Sequence, residues 1–330
     1  MQEEIQELTT EAPEVSVVMS VYNAAQHLRE TVDSILSQEG VEFEVVVVDD
    51  GSTDDTANIL SQYASRDARV RVITQENQGL TRALIKGCAA ATGKYIARQD
   101  VGDTSAPRRL NLQKQALDAD DELAFVSSWT EFCGPEWEHL YLTKGTGFAK
   151  SPTYIFLDNN SRMIDGPTSH PSVMYRRAAY LNAGGYRPEF YCAQDFDLWY
   201  RLMGLGKFQL IEDTLYRARV TLGSISAGNK KEQEALGALA RACFLRRQRG
   251  LSDLGILAEA NRIRPGRPDP LASRDRARAY YFIGECLRNN SDRRSLIYFK
   301  ESISADPFFL KSWARLLCLA FSLRKTLISS

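Results

Sequence analysis

Lys94-Tyr95-Ile96-Ala97-Arg98-Gln99-Asp100-Val101-Gly102-Asp103-Thr104-Ser105-Ala106-Pro107-Arg108-Arg109 decides how the rest of the chain is read. The β-prone run Tyr95 to Ala97 delivers two carboxylates, Asp100 and Asp103, around a turn at Gly102. Pro107 suits the first turn of a following helix. Acids at the C-terminal end of a strand in an α/β sheet stand where such sheets bind ligands. Two of them placed by a sharp turn suit a hard divalent cation held against a diphosphate. Taken alone, the segment reads equally as a solvated acidic turn, and its surroundings have to arbitrate.

Upstream, apolar runs alternate with helical patterns. Val15 to Tyr22 is nearly continuous apolar, as a strand covered on both faces should be. Leu28, Val32, Ile35 and Leu36 then recur at helical spacing. Glu44 to Val48 is a second buried strand and ends in Asp49-Asp50-Gly51-Ser52. Thr53 and Asp54 suit the N-cap of a helix carrying Ile59, Leu60 and Tyr63. Val70 to Ile73 is a third strand, and Leu80, Leu84 and Ile85 mark a third helix that stops near Thr92-Gly93. Tyr95 opens the fourth strand. Short helices between strands imply right-handed crossovers and a mainly parallel, Rossmann-like α/β sheet. If the strands ending in Asp49-Asp50 and in Asp100 to Asp103 are neighbours, both acid pairs face one crevice.

These stretches, in this order, resemble the inverting family 2 glycosyltransferases of the bacterial type, which have the GT-A nucleotide-sugar fold. The resemblance runs from about Glu14 to about Ser226. It is carried by Val17-Val18-Met19-Ser20-Val21-Tyr22-Asn23, by Val47-Val48-Asp49-Asp50-Gly51-Ser52-Thr53-Asp54, and by Asn77-Gln78-Gly79-Leu80 with Arg82. Arg98 to Arg109 with Gln113 follows, then His170-Pro171-Ser172-Val173-Met174-Tyr175-Arg176-Arg177, Gly184-Gly185-Tyr186 and Gln194-Asp195-Phe196-Asp197-Leu198-Trp199. Each is a weak pattern alone; the ordered set is specific.

The resemblance implies transfer of a hexosyl or N-acetylhexosaminyl group from a nucleoside-diphosphate sugar, most often a UDP-sugar, to a hydroxyl of a glycan, lipid-linked or polysaccharide acceptor. A carboxylate base takes the acceptor proton, and Mn2+ or Mg2+ stabilises the departing diphosphate. It places Ser20, Val21, Tyr22, Asp49, Asp50, Arg82 and Asp100 on the donor side, with Asp50 favoured over Asp49 for the base because neighbouring side chains at a strand end point oppositely. For Arg82, a solvated helix position is an equal reading. Asp100 and Asp103 are the implied metal ligands. The family's Asp-x-Asp-Asp appears here as Asp100-Val101-Gly102-Asp103, so the middle acid is missing, and Asp103 or Asp100 alone has to serve. Asp195 is the implied base, with Gln194 where the family has Glu. Losing that Glu leaves Asp195 less raised by like charge. The competing reading makes Asp195 the N-cap of a helix from Phe196 to Met203. His170, Gly184, Gly185, Gln194, Asp197 and Trp199 fall on the acceptor or diphosphate side. For His170 a structural hydrogen bond is the rival role. Tyr186, Phe190 and Tyr191 read either as sugar-stacking or as loop-packing aromatics.

Composition fits an enzyme without a nucleic-acid footprint: net charge is −1 over 330 residues. The six cysteines are scattered without Cys-x-x-Cys spacing, as free thiols of a reducing compartment would be. Met1 to Glu14 is acidic and polar, unlike a secretory signal, and no apolar run reaches the ~18 residues of a membrane span. These features predict a cytoplasmic protein, with the inner face of the plasma membrane as a peripheral location. Leu316 to Ile328 has an apolar part interrupted by Arg324 and Lys325, a packed helix or a membrane-surface contact.

The domain reading is a flexible tail over 1–13, a GT-A domain over 14–228 and a helical region over 229–330. In the last, Glu232 to Arg249 is helical, Pro265 to Pro270 is a break, and Ala277 to Leu287 with Leu296 to Ala305 form an antiparallel pair. Tyr280, Gly284, Phe299, Pro307 and Trp313 make that pair loosely tetratricopeptide-like, a helical lid or a surface for a protein partner. Two rival functions remain. A nucleotidyltransferase would open with a Gly-rich loop where Tyr22-Asn23-Ala24-Ala25 stands. A catalytically degenerate, nucleotide-binding scaffold is what Gly102 and Gln194 favour.

Overall fold

The computed structural model describes residues 12–144, 156–157, 163–164, 166–220, 230–264 and 273–328. Most of the proposed N-terminal tail, the 228/229 division and the Pro265 to Pro270 break lie outside the described residues.

The first half of the chain is the expected alternation: β1 (Val15–Val21), α1 (Leu28–Leu36), β2 (Phe43–Asp49), α2 (Thr56–Arg66), β3 (Val70–Thr74), α3 (Leu80–Ala90) and β4 (Tyr95–Asp100). Then come β5 (Thr104–Ser105), α4 (Arg109–Ala119), β6 (Leu123–Cys133), β7 (His139–Thr143), and a two-residue pair, β8 (Phe156–Leu157) with β9 (Met163–Ile164). A 3-10 turn at His170–Ser172 leads into β10 (Met174–Arg176), α5 (Arg177–Asn182), α6 (Gln194–Leu202) and β11 (Lys207–Arg219). The main sheet runs β3-β2-β1-β4-β10-β6-β11-β5, with β7 on β6. β1, β2, β3 and β4 are parallel, β10 runs antiparallel between β4 and β6, and β11 is parallel to β6. The core divides as the strand period requires. Val17 and Met19 pack with Leu28, Val32, Ile59 and Leu60 on one face. Val18 packs with Leu84, Ile96, Tyr175 and Trp199 on the other.

The acid-bearing strands are not neighbours. β1 lies between β2 and β4, with Val21 opposite Asp49 and Ser20 opposite Asp100. The two acidic ends are therefore two strand spacings apart, roughly 10 Å, at the C-terminal end of the parallel strands. Pro107 precedes α4 in the turn before Arg108, its N-cap, instead of lying in its first turn.

The C-terminal helices fall into two groups. α7 (Lys230–Gln248) and α8 (Leu254–Ala260) supply Leu236, Ala240, Cys243, Phe244 and Ala260 to the core cluster that holds Trp199 and Tyr200 of α6. α9 (Ser273–Asn289) and α10 (Ser295–Ala305) are the expected helix pair. A Cβ on Gly284 would meet the Phe299 ring at 2.7 Å, which explains the small residue. The pair packs on β7 through Leu140, Ile283, Leu287 and Tyr298. α11 (Leu310–Ile328) follows.

Candidate active site

Ser20 and Val21 end β1, and Tyr22 beyond them is 50% exposed. Asp49 is buried at the end of β2, and its Oδ1 accepts the Ser52 amide at 3.0 Å. Asp50, also buried, accepts the Gln75 side-chain amide at 2.6 Å and the Gln78 and Gly79 amides at 2.9 and 2.8 Å. It therefore shapes the loop that leads into α3. Asn23, at φ 47°, takes the Thr53 amide at 2.8 Å and clips the β1 loop to the β2 loop. The cap expected from Thr53 or Asp54 takes another form. Asp55 is the N-cap residue, but its side chain makes no capping bond to the helix backbone and accepts the Asn58 side-chain amide at 3.1 Å, while Asp54 accepts the Thr56 amide at 3.0 Å and the Ala25 amide at 3.1 Å. Arg82 is exposed near the start of α3.

At the end of β4, fully buried Arg98 donates from Nη2 to Oδ1 of Asp100 at 2.5 Å and from Nη1 to the Val18 carbonyl at 2.8 Å. Burial works against its charge, but the Asp100 carboxylate together with Tyr186, Tyr175 and Cys88 outweighs it, and its pKa is raised. The Asp100 side chain remains 37% exposed. Gly102 turns at φ +92°, a conformation L side chains disfavour, and its amide donates to Thr31 Oγ1 at 2.9 Å. Asp103 turns into the wall. Tyr216 Oη donates to its Oδ2 at 2.9 Å and the Arg219 amide to its Oδ1 at 2.8 Å. Burial, then the charge of Asp100, pushes its pKa up to about 8. Behind this turn, buried Arg109 bonds Gln113, Gln99, Ser105 and the carbonyls of Arg98 and Pro171, and its guanidinium lies 4.9 Å from the centre of the Tyr216 ring.

Across the crevice, Gly184 and Gly185 both have positive φ, and a Cβ on Gly185 would meet Tyr180 Oη at 2.9 Å. Tyr186 and Phe190 are buried, and Tyr191 lies under Gly79. These three pack the loop. His170 Nε2 bonds Tyr186 Oη at 2.7 Å. Burial, then the positive field of Arg98, holds its pKa well below the usual imidazole range, so the ring is neutral. Asp195 lies in the first turn of α6. The N-cap is Ala193, a non-glycine residue at φ 57°, so Asp195 is not the cap; its Oδ1 accepts the neighbouring Phe196 amide at 3.0 Å. Burial raises the Asp195 pKa to about 6; the Asp100 charge adds to the rise, while the Phe196 amide and Arg98 oppose it. Burial thus supplies what a neighbouring Glu would have added.

Residues 16–184, 169 of the 330, match the family described as Glycosyl transferase family 2. The chain belongs to this family. Bacillus subtilis EpsE is 34% identical to it over 221 residues, 63% of this chain and 73% of that one. An uncharacterized glycosyltransferase of Methanocaldococcus jannaschii is 29% identical over 214 residues, 63% and 71% of the two chains. In fold, the chain is similar to the mannosyltransferase PcManGT from Pyrobaculum calidifontis, solved with GDP-Man and Mn2+: TM-score 0.53, 19% identity, 95% of this chain and 81% of that one covered. It is also similar to TarS 1–349 of S. aureus, solved with UDP-GlcNAc: TM-score 0.52, 17% identity, 89% and 88% covered. This family 2 glycosyltransferase therefore has the GT-A fold.

Within the family 2 site, Val21 stands opposite Asp49 and Ser20 opposite Asp100 on neighbouring strands, and the charge of Asp100 reaches Asp195. Gln194 is buried at the start of α6. Asp197 turns away and pairs with Arg201 at 2.6 Å and Arg187 at 3.8 Å, and Trp199 is buried in the core. No role for Arg98 follows from the motif that contains it. A cation inside an apolar strand, two residues before an acid and so on its face, was the available signal.

Proposed function

We propose that this glycosyltransferase moves a hexosyl or N-acetylhexosaminyl group, with inversion, from a UDP-sugar to a hydroxyl of a glycan, lipid-linked or polysaccharide acceptor. Asp195 is the base. It takes the acceptor proton as the new C–O bond forms at the anomeric carbon, and the bond to the diphosphate breaks with its electron pair leaving on the nucleotide. The observation that carries the reading is the place of Asp195, a half-buried carboxylate in the first turn of α6 within reach of the Asp100 charge; burial raises its pKa to about 6, and such a group is basic enough to accept a proton at neutral pH.

Ser20 to Tyr22 and Asp49 or Asp50 line the base side of the donor, where Asp50 acts through the loop it shapes. Arg82, exposed near the start of α3, is assigned to the base or diphosphate. The uridine preference rests on the family and on the UDP-GlcNAc held by TarS; the GDP-Man of PcManGT is the competing donor class. The residues fit Mn2+ or Mg2+ through Asp100: one of its oxygens pairs with Arg98, and the side chain is 37% exposed. Among the described residues no group of three His, Cys, Asp or Glu forms a cage, and Asp103 already accepts two donors. Diphosphate oxygens and water complete such a site. When bound, the ion neutralises charge developing on the leaving diphosphate.

His170, Gly184, Gly185 and Gln194 shape the acceptor side, and Asp197 and Trp199 hold α6 beneath it. We place the protein in the cytoplasm, peripheral to the inner face of the plasma membrane. The test is a thermal-shift screen of nucleoside-diphosphate sugars with and without Mn2+. A saturating donor, at a hundredfold excess over its Kd, stabilises the fold by about 2.7 kcal/mol. A screen in which no nucleotide-sugar raises Tm overturns the reading. Binding of nucleotide with no transfer to any acceptor would instead establish the scaffold that Gly102 and Gln194 favour.

A further inference from the structure

One face of α11 docks on the preceding helices. Ser312 is buried and shares a hydrogen bond with Ser302 at 2.7 Å, Arg315 pairs with Glu285 at 2.7 Å, and Phe309 meets Tyr281 edge-on at 5.5 Å. The opposite face is left open. Leu310, Trp313 and Leu317 recur at the i, i+3, i+7 spacing of one helical stripe and are 74%, 46% and 58% exposed, with Phe308 just before them at 88%. The Trp313 indole is fixed by a bond from Nε1 to the Pro307 carbonyl at 2.9 Å, so a rigid aromatic ring forms part of this stripe.

Charge decides what covers this face. From Pro307 to Ser330 the chain carries Lys311, Arg315, Arg324 and Lys325 and no Asp or Glu; Arg315 is taken up by Glu285 on the docked face, which leaves Lys311, Arg324 and Lys325 as the cations for a partner. No helix of the described residues is long and apolar enough to cross a membrane. An apolar stripe with Trp on a helix that is only basic has the character of a segment lying in a bilayer interface: apolar side chains enter the headgroup boundary and cations meet anionic lipid.

We propose that the Phe308, Leu310, Trp313 and Leu317 face of α11 docks this protein on an anionic membrane surface. This rests on the peripheral placement proposed above and not on the catalytic reading. The α9–α10 pair, which is fixed to β7 of the catalytic sheet, then holds the site at a set distance from the lipid.

The experiment is co-sedimentation of the full chain with vesicles of equal parts phosphatidylglycerol and phosphatidylcholine, beside vesicles of phosphatidylcholine alone. The expected result is binding to the anionic vesicles that weakens with salt and is at least about tenfold poorer on the neutral ones. Leu310→Glu with Trp313→Glu lowers it by about a hundredfold, and Lys311→Glu by about tenfold, each with unchanged Tm and unchanged nucleotide-sugar binding. Equal binding to both vesicle types, no binding to either, or equal binding by the variants overturns the proposal. So does light scattering that shows an oligomer which Leu310→Glu with Trp313→Glu dissolves, since a second copy then covers the face. Loss of donor binding in the unaltered chain would count against the catalytic reading alone.

Discussion

Arg98 and Asp100 stand two residues apart on β4, on the same face of the sheet, joined by a 2.5 Å bond in which one partner is fully buried and the other is 37% exposed. The same guanidinium reaches the Val18 carbonyl of β1 and the Gln99 carbonyl. The acid at the crevice is thus braced from inside the sheet by a cation that also ties two strands together.

Removing that brace should be felt in both stability and binding. Arg98→Met leaves two carbonyls and one carboxylate oxygen without their donor, a loss of about 2–4 kcal/mol. Urea denaturation should show a lower midpoint at constant slope, and calorimetry weaker Mn2+ binding in the presence of UDP. A variant with wild-type values in both would refute the bracing role.

Asp195→Asn keeps the shape of the side chain but cannot accept a proton. Transfer should fall about 10²–10⁴-fold while donor affinity holds and Tm does not fall. Because Ala193 occupies the N-cap position, capping cannot account for a change in rate. Full activity would retire Asp195 as the base.

The rate should also follow the Asp195 ionisation. With its pKa raised to about 6, the base is protonated and idle at lower pH. The transfer rate should climb about tenfold per unit below pH 6 and flatten above it. A profile flat from pH 4.5 to 7.5 would contradict this.

Asp103 makes a prediction about the fold. Its pKa is near 3.8 in the unfolded chain and about 8 in the folded one. Between these values the folded state binds the extra proton, so its contribution is full below about pH 4 and is lost as pH rises through about 8. Asp195 adds the same sign over a narrower window ending near 6. Asp103→Asn should flatten the measured stability between pH 6 and 8; an unchanged slope would remove Asp103 as its source.

Ala193 holds a left-handed conformation at φ 57° immediately before α6. Ala193→Gly should stabilise the protein by about 1 kcal/mol, since glycine adopts this region without a Cβ clash. Chemical denaturation checks it, and a lower midpoint would show that the methyl group contributes more by packing than it costs in strain.

Asp50→Ala should act on the loop before it acts on the nucleotide. Three donors between Gln75 and Gly79 lose their acceptor, at about 1.5–3 kcal/mol for a charge-assisted bond. Both Tm and UDP affinity should fall, and Asp50→Ala with wild-type values in both would end its assignment.

The amino-acid sequence by itself determined the strand–helix alternation from Val15 to Asp100, because solid apolar runs and helical spacings are local patterns that burial reads directly. It placed acids at two strand ends, showed the need for glycine at Gly184 and Gly185, and marked the α9–α10 pair. Tertiary structure alone decided the rest. It put β1 between the two acidic strands and inserted β10, from some 75 residues downstream, beside β4. It drew α7 and α8 into the core of α6. It turned Asp103 inward, because its partners Tyr216 and Arg219 arrive from 113 and 116 residues away. Whether a carboxylate faces a ligand or a wall depends on such distant donors and on the burial they create, and no local period of the chain encodes either.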